Sequence, residues 1–268
     1  MSVHTAPASR LGDTFAACRA ENRAALIGYF PVGYPDLETS VTTVRTMVEA
    51  GCDIVEIGVP YSDPVMDGPT IARAAEKAIA GGTRVRDVMV AAEAIAEAGA
   101  QPVVMSYWNL ILKYGVDAFA RDLSAAGGAG LITPNLIPEE GTEWHAASDA
   151  HDIDRIYLVA PSSTPERIAL TVDACRGFVY AASTMGVTGA RSSVSNAAPE
   201  LCARVREYSD IPIGVGLGVR DGDQAAEIGA YADGVIVGSA IVSAVDRGQA
   251  AVAELVSDLA AGVRRARS

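Results

Sequence analysis

Eight short apolar runs rich in β-branched residues, each followed by a longer alanine-rich amphipathic stretch, leave few folds open to this chain. The runs fall at 25–30, 54–59, 102–106, 130–133, 155–159, 178–182, 213–216 and 234–237. Helical patterns separate them, at 37–50, 71–80, 85–98, 116–125, 139–150, 165–174, 199–208, 221–228 and 249–263, with one more in front at 11–21. A strand that is apolar on both faces needs a cover on each, and a helical crossover returns the chain parallel to its last strand. Eight such units in 268 residues match the size of a closed (β/α)8 TIM barrel with an extra N-terminal helix. An open doubly wound sheet is the competing arrangement. No Pro/Ser linker or shift of composition divides the chain, so 1–268 reads as one barrel domain.

Charge and cysteine usage narrow the partners. With 33 acidic against 21 basic residues the net charge is -12, and the one basic group near the end, Arg264-Arg265-Ala266-Arg267, is too short to track a phosphate backbone. Nucleic acid is not an expected partner. Cys18, Cys52, Cys175 and Cys202 are scattered, with no C-x-x-C pair and no histidine at ligand spacing, so they read as buried thiols in a reducing compartment, with no metal site. The first fifteen residues lack the apolar core of a signal peptide, and no segment reaches the roughly 18 uninterrupted apolar residues of a spanning helix. A cytoplasmic protein without membrane attachment is the expectation.

In a barrel the chemistry belongs at the C-terminal ends of the strands. The second run, Ile54-Val55-Glu56-Ile57-Gly58-Val59, holds a glutamate. Side chains alternate along a strand, so if Val55, Ile57 and Val59 face the helices, Glu56 faces the barrel interior. Desolvation there raises a carboxyl pKa toward neutrality, where it serves as an acid or base; an arginine or a water satisfying Glu56 structurally is the plainer reading. Asp67, in Asp67-Gly68-Pro69-Thr70, either caps the helix beginning at Pro69 or hangs over the same mouth and accepts a substrate N–H. Asp63, in Tyr61-Ser62-Asp63-Pro64, has the context of a turn residue.

Glycines gather after the last three strands, as Thr188-Gly189, Gly214-Val215-Gly216-Leu217-Gly218 and Val237-Gly238-Ser239-Ala240. They either mark tight turns or let backbone N–H groups approach a phosphate. A short phosphate-binding helix at 240–244, after strand eight, would add its dipole. Neither of the last two runs contains Lys or Arg, so a small phosphate ester held by backbone dipoles is the implied ligand. The polar stretch STMGVTGARSSVSN at 183–196 is a candidate mobile lid or an ordinary solvated loop.

These residues together resemble the tryptophan synthase alpha chain family. The likeness runs from Ala25-Leu26-Ile27-Gly28-Tyr29-Phe30-Pro31-Val32-Gly33-Tyr34-Pro35 through VEIGVPYSDPVMDGP at 55–69 to the glycines at 233–239, and the motif E-[ILV]-G-x-P-[FY]-S-D-P-x-x-D-G-P is highly specific. The resemblance implies retro-aldol cleavage of indole-3-glycerol phosphate to indole and glyceraldehyde 3-phosphate, with no cofactor in this chain. It implies that Glu56 is the general acid/base, that Asp67 accepts the indole N–H, and that Tyr180 lies near the reacting side chain. Thr188, Gly189, Gly216, Gly218, Gly238 and Ser239 match the family's phosphate site, and Tyr29, Met105 and Tyr107 its indole pocket. Barrel filling is the alternative for those three and core packing for Tyr180.

The resemblance further implies an alpha2beta2 assembly with a beta chain carrying pyridoxal phosphate, with Asp63 and Asn135 at the interface. Asn135 departs from the family, which usually has aspartate there; it keeps the shape and loses the charge, so altered coupling to the beta chain is expected. A stand-alone lyase releasing indole, and a non-catalytic paralogue that binds a phosphate ester, are the other readings.

Overall fold

The computed structural model describes residues 8–182, 197–216 and 218–267. Among them lie strands β1 (Ala25–Pro31), β2 (Ile54–Gly58), β3 (Gln101–Met105), β4 (Gly130–Ile132), β5 (Asp154–Ile156), β6 (Leu158–Val159), β7 (Val179–Ala182), β8 (Ile213–Gly216) and β9 (Gly234–Val237). The helices are α1 (Arg10–Ala20), α2 (Leu37–Glu49), α3 (Pro69–Ala80), α4 (Asp87–Ala98), α5 (Trp108–Tyr114), α6 (Val116–Ala125), α7 (Thr142–Ala150), α8 (Pro165–Ala174), α9 (Ala197–Arg206), α10 (Gly222–Gly229), α11 (Ser239–Val245) and α12 (Gln249–Arg265). All strand pairings are parallel, in the order β5-β4-β3-β2-β1-β9-β8-β7-β6.

The two ends of that order are neighbours in the chain, separated only by Tyr157. β5 pairs with β4, and β6 pairs with β7. The ring therefore closes through one interrupted strand, and the fold is a (β/α)8 barrel rather than an open sheet. The single run at 155–159 is split because its first half answers one neighbour and its second half the other. The Tyr180 N–H donates to the Tyr157 carbonyl oxygen at 3.0 Å, right at the break.

Alternation along the strands sorts the core into two layers. Val55 and Ile57 pack with Leu26, Phe30 and Ile95 between sheet and helices. Ile54 instead joins Ile27, Val103, Ile132, Ile156, Phe178 and Ile236 inside the barrel. Helix α1 closes the N-terminal mouth: its Leu11, Phe15 and Cys18 belong to that inner cluster, with Phe15 and Phe178 ring centroids 5.5 Å apart. Each such side chain contributes on the order of 1.5–3 kcal/mol by leaving water. The Ser9 hydroxyl caps α1 by accepting from the Gly12 N–H at 3.0 Å. With that end plugged by α1, the pocket lined by the described residues lies at the C-terminal end of the strands.

Helix α5 follows β3 where no helical pattern was expected, and α3 starts at Pro69, the start that the Asp67-Gly68-Pro69-Thr70 stretch suggested, two residues before its apolar pattern at 71. Among the described residues no helix is long and apolar enough to cross a membrane.

Candidate active site

A pocket opens at the C-terminal ends of the strands, and Glu56 lies at its base. The inner-layer position of Ile54 makes Glu56, two residues on, an inward-facing side chain, 1% exposed. Its Oε2 has no hydrogen-bond partner among the described residues. Burial, and then the charge of Asp67, push its carboxyl up to about 8. The structural reading of Glu56, with an arginine as partner, is not what the geometry shows: no Lys, Arg or His is among the described residues lining the pocket.

Asp67 lines the same pocket. The N-cap of α3 is Gly68, with Pro69 in the first turn and no side-chain hydrogen bond at the cap, so Asp67 is not the helix cap. Burial raises its carboxyl above the usual range. Asp63 is exposed, does not line the pocket, and accepts from the Ser62 hydroxyl at 2.6 Å.

The residues assigned to the ring-binding region converge. Tyr29 of β1, Met105 of β3, Tyr107 and Tyr180 of β7 all line the pocket. Burial raises the phenols of Tyr29 and Tyr180, and the two carboxylates raise them further. Three strand-end glycines have a packing reason of their own. A Cβ at Gly58 would fall 2.2 Å from the Tyr29 hydroxyl, and one at Gly216 would fall 2.6 Å from that of Tyr180. A Cβ at Gly238 would stand 3.2 Å from the Tyr29 ring. Absent side chains thus leave room for the tyrosines to lie across the barrel mouth.

Gly216, Gly218, Gly238 and Ser239 line one part of the wall, where the chain leaves β8 and β9. Gly218 has φ +69°, a left-handed backbone that favours glycine. Ser239 begins α11, the helix expected after the last strand, whose first N–H groups have no intrahelical acceptor. Thr188 and Gly189, with the whole polar stretch 183–196, lie outside the described residues.

Asn135 is exposed, in the loop after β4. Its Oδ1 accepts from the Trp108 N–H at 2.9 Å, which caps α5 from outside the helix. Sequence reasoning missed further lining residues, among them Met66, Leu158 and Ile236. For Leu158 and Ile236 the signal was present, since the alternation rule that aimed Glu56 inward applies to every strand. The arrangement joins an apolar slot, an uncompensated acid titrating near neutrality, a second acid beside it, and a glycine-rich wall. Among the described residues no group of three or more His, Cys, Asp or Glu side chains is placed to hold a metal ion.

Comparison with known proteins agrees along the chain. The family model of the tryptophan synthase alpha chain matches residues 15–267. The alpha chain of Mycobacterium ulcerans (strain Agy99) is 68% identical over 268 residues, covering 100% of both chains. That of Nocardia farcinica (strain IFM 10152) is 70% identical over 258 residues, covering 96% of this chain and 97% of the relative. A solved structure of Mycobacterium tuberculosis tryptophan synthase superposes with a TM-score of 0.93 at 67% identity, covering 96% of this chain and 99% of that one.

Proposed function

The chain belongs to the tryptophan synthase alpha chain family, a family of lyases, and from that premise we propose that it cleaves indole-3-glycerol phosphate to indole and glyceraldehyde 3-phosphate. The observation that carries the reading is the pairing of Glu56 and Asp67 in one pocket, Glu56 without a counter-ion among the lining residues described.

A carboxyl raised to about 8 is mostly protonated at pH 7, so Glu56 starts as an acid. It delivers its proton to C3 of the indole ring. The positive charge that develops on the ring is drawn off through the ring N–H, which donates to the Asp67 carboxylate. Glu56, now a carboxylate, takes the proton of the side-chain hydroxyl adjoining the scissile bond. The oxygen electron pair forms the aldehyde carbonyl, the carbon–carbon bond breaks, and its electrons restore the aromatic ring. One proton leaves Glu56 and one returns, so the cycle needs no cofactor in this chain. Tyr29, Met105, Tyr107 and Tyr180 shape the slot for the ring and reacting side chain. Gly216, Gly218, Gly238 and Ser239, with Thr188 and Gly189, hold the phosphate ester.

The family implies a beta-chain partner, and we propose an alpha2beta2 assembly in which Asp63 and Asn135 face it. Indole release from indole-3-glycerol phosphate, assayed with and without added beta chain, tests both parts. Cleavage that the beta chain accelerates is expected. Absence of cleavage under both conditions would remove the lyase reading, and rapid turnover that the beta chain leaves unchanged would favour a stand-alone enzyme.

A further inference from the structure

The Tyr107 side chain joins two loops as well as lining the pocket. It occupies the N-cap position of α5 and is buried, with its ring centroid 4.7 Å from that of Tyr61. Its hydroxyl oxygen accepts from the Val65 N–H at 3.0 Å and from the Met66 N–H at 3.2 Å. A phenol oxygen has two lone pairs, and both are directed at the loop. Those two donors are the residues immediately before Asp67.

Tyr107 is itself held from the other side. The Ser106 hydroxyl donates to the Tyr107 carbonyl oxygen at 3.1 Å, and the next N–H, that of Trp108, donates to Asn135 Oδ1 at 2.9 Å. Hydrogen bonds thus run from the loop after β4, through the start of α5, to the loop after β2 that carries Asp67. Val65, at the far end, is 73% exposed, so apolar packing does little to fix that loop.

We propose that the Tyr107 hydroxyl is a positioning group for Asp67, holding the backbone before it so that the carboxylate stands over the pocket, with Asn135 bracing Tyr107. The inference rests on the proposed role of Asp67 as acceptor of the ring N–H. An acceptor aimed at a developing charge is sensitive to placement, and a misplacement of about 1 Å can cost on the order of 10²-fold in rate.

Tyr107→Phe keeps the ring against Tyr61 and removes only the oxygen. In the full chain with its beta partner, it should lower kcat for indole-3-glycerol phosphate about tenfold while changing KM by less than about twofold. In an Asp67→Asn background the same substitution should cost less than about twofold more, because the group it positions is gone. Equal losses in the two backgrounds would show that Tyr107 acts independently of Asp67 and overturn the proposal. Amide hydrogen exchange without substrate gives a second reading: Val65 and Met66 should exchange faster in Tyr107→Phe, with Ala74 and Ala75 of α3 unchanged. Unaltered exchange at Val65 and Met66 would equally overturn it. If the parent chain does not cleave the substrate, the proposed function falls, and the exchange measurement still decides whether Tyr107 holds the loop.

Discussion

Asp154, at the start of β5, is 2% exposed at the N-terminal end of the barrel, while Glu56 is 1% exposed at the mouth of the other end. Burial is the largest influence on both carboxyls, raising Asp154 to about 6 and Glu56 to about 8. Their neighbours differ. Asp154 Oδ1 lies 3.3 Å from Arg176 Nε, and the Ser9 hydroxyl, Arg176 and the Leu11 N–H all pull its pKa back down. Glu56 is answered by another acid, Asp67, which pushes its pKa further up. The Asp154 carboxylate oxygens, like Glu56 Oε2, make no hydrogen bond among the described residues, so what separates the two acids is the neighbouring charge: Arg176 beside Asp154 at the barrel floor and Asp67 beside Glu56. Burial alone does not distinguish an acid of structure from an acid of chemistry; the sign of the neighbouring charge does.

The sharpest way to break this contrast is Glu56→Gln. General acid–base catalysis supplies about 10²–10⁴-fold, and in the proposed mechanism one group performs both proton transfers, so kcat for indole release should fall by about a thousandfold or more. Folding should not suffer, because an amide replaces a carboxyl whose ionisation the site opposes. Loss of less than about tenfold would mean that Glu56 is not the acid/base. Asp67→Asn should cost on the order of a hundredfold, by weakening one acceptor of developing charge. It should also move the alkaline limb of the kcat/KM profile to lower pH. In the proposed mechanism that limb reports deprotonation of Glu56 in the free enzyme, and removing the Asp67 charge removes one cause of its raised pKa.

At the floor the expectation reverses. Asp154→Asn should leave the specific activity of the folded protein near that of the parent and lower unfolding free energy by on the order of 2 kcal/mol, because Arg176 stays largely buried with one partner fewer. Asp152, whose Oδ1 lies 2.7 Å from Arg176 Nη2, limits the damage. Urea unfolding compared with single-turnover rates would test this, and a large rate loss at unchanged stability would contradict it. The linkage of Glu56 to pH has a definite sign. Its folded pKa stands above its ordinary value of 4.5, so the folded state holds the extra proton between pH 4.5 and about 8. Stability from this group is full below pH 4.5 and is lost as pH rises through about 8. Subtracting the urea-unfolding curve of Glu56→Gln from that of the parent across this window should show that decline.

Much of the molecule was legible in the sequence because its signals are local. Strand and helix periods placed β8, β9, α6 and α8 at the residues observed, and alternation within β2 aimed Glu56 inward. What could not be read depends on residues distant in sequence. Whether Asp67 caps α3 or faces the pocket turned on the path of the loop before Gly68. The break at Tyr157 arises because the ring must close with different neighbours on its two sides. The glycines at 216 and 238 read as turns or phosphate contacts, while their fit to Tyr180 and Tyr29, like that of Gly58 to Tyr29, appears only once the strands are side by side. Arg176 and Ser9 cannot be assigned to Asp154 from any local pattern.

Helix α5 shows the same limit and supplies the smallest test of the contrast between partnered and unpartnered polar groups. The stretch WNLILKY carries no cap signal, since Tyr107 at the N-cap position offers no side-chain hydrogen bond to the helix. The missing acceptor comes from Asn135, 27 residues downstream. Asn135→Ala should therefore lower unfolding free energy by about 1 kcal/mol, the usual cost of losing a cap. Asn135→Asp keeps an acceptor in place and adds a negative charge beside the helix N-terminus, so its stability should equal or exceed that of the parent by a few tenths of a kcal/mol at low salt. If the alanine and aspartate variants unfolded at the same urea concentration, the capping account of Asn135 would fail. Should they separate as expected, asparagine at 135 retains the local fold of α5, and what it lacks beside an aspartate is the charge presented at the surface.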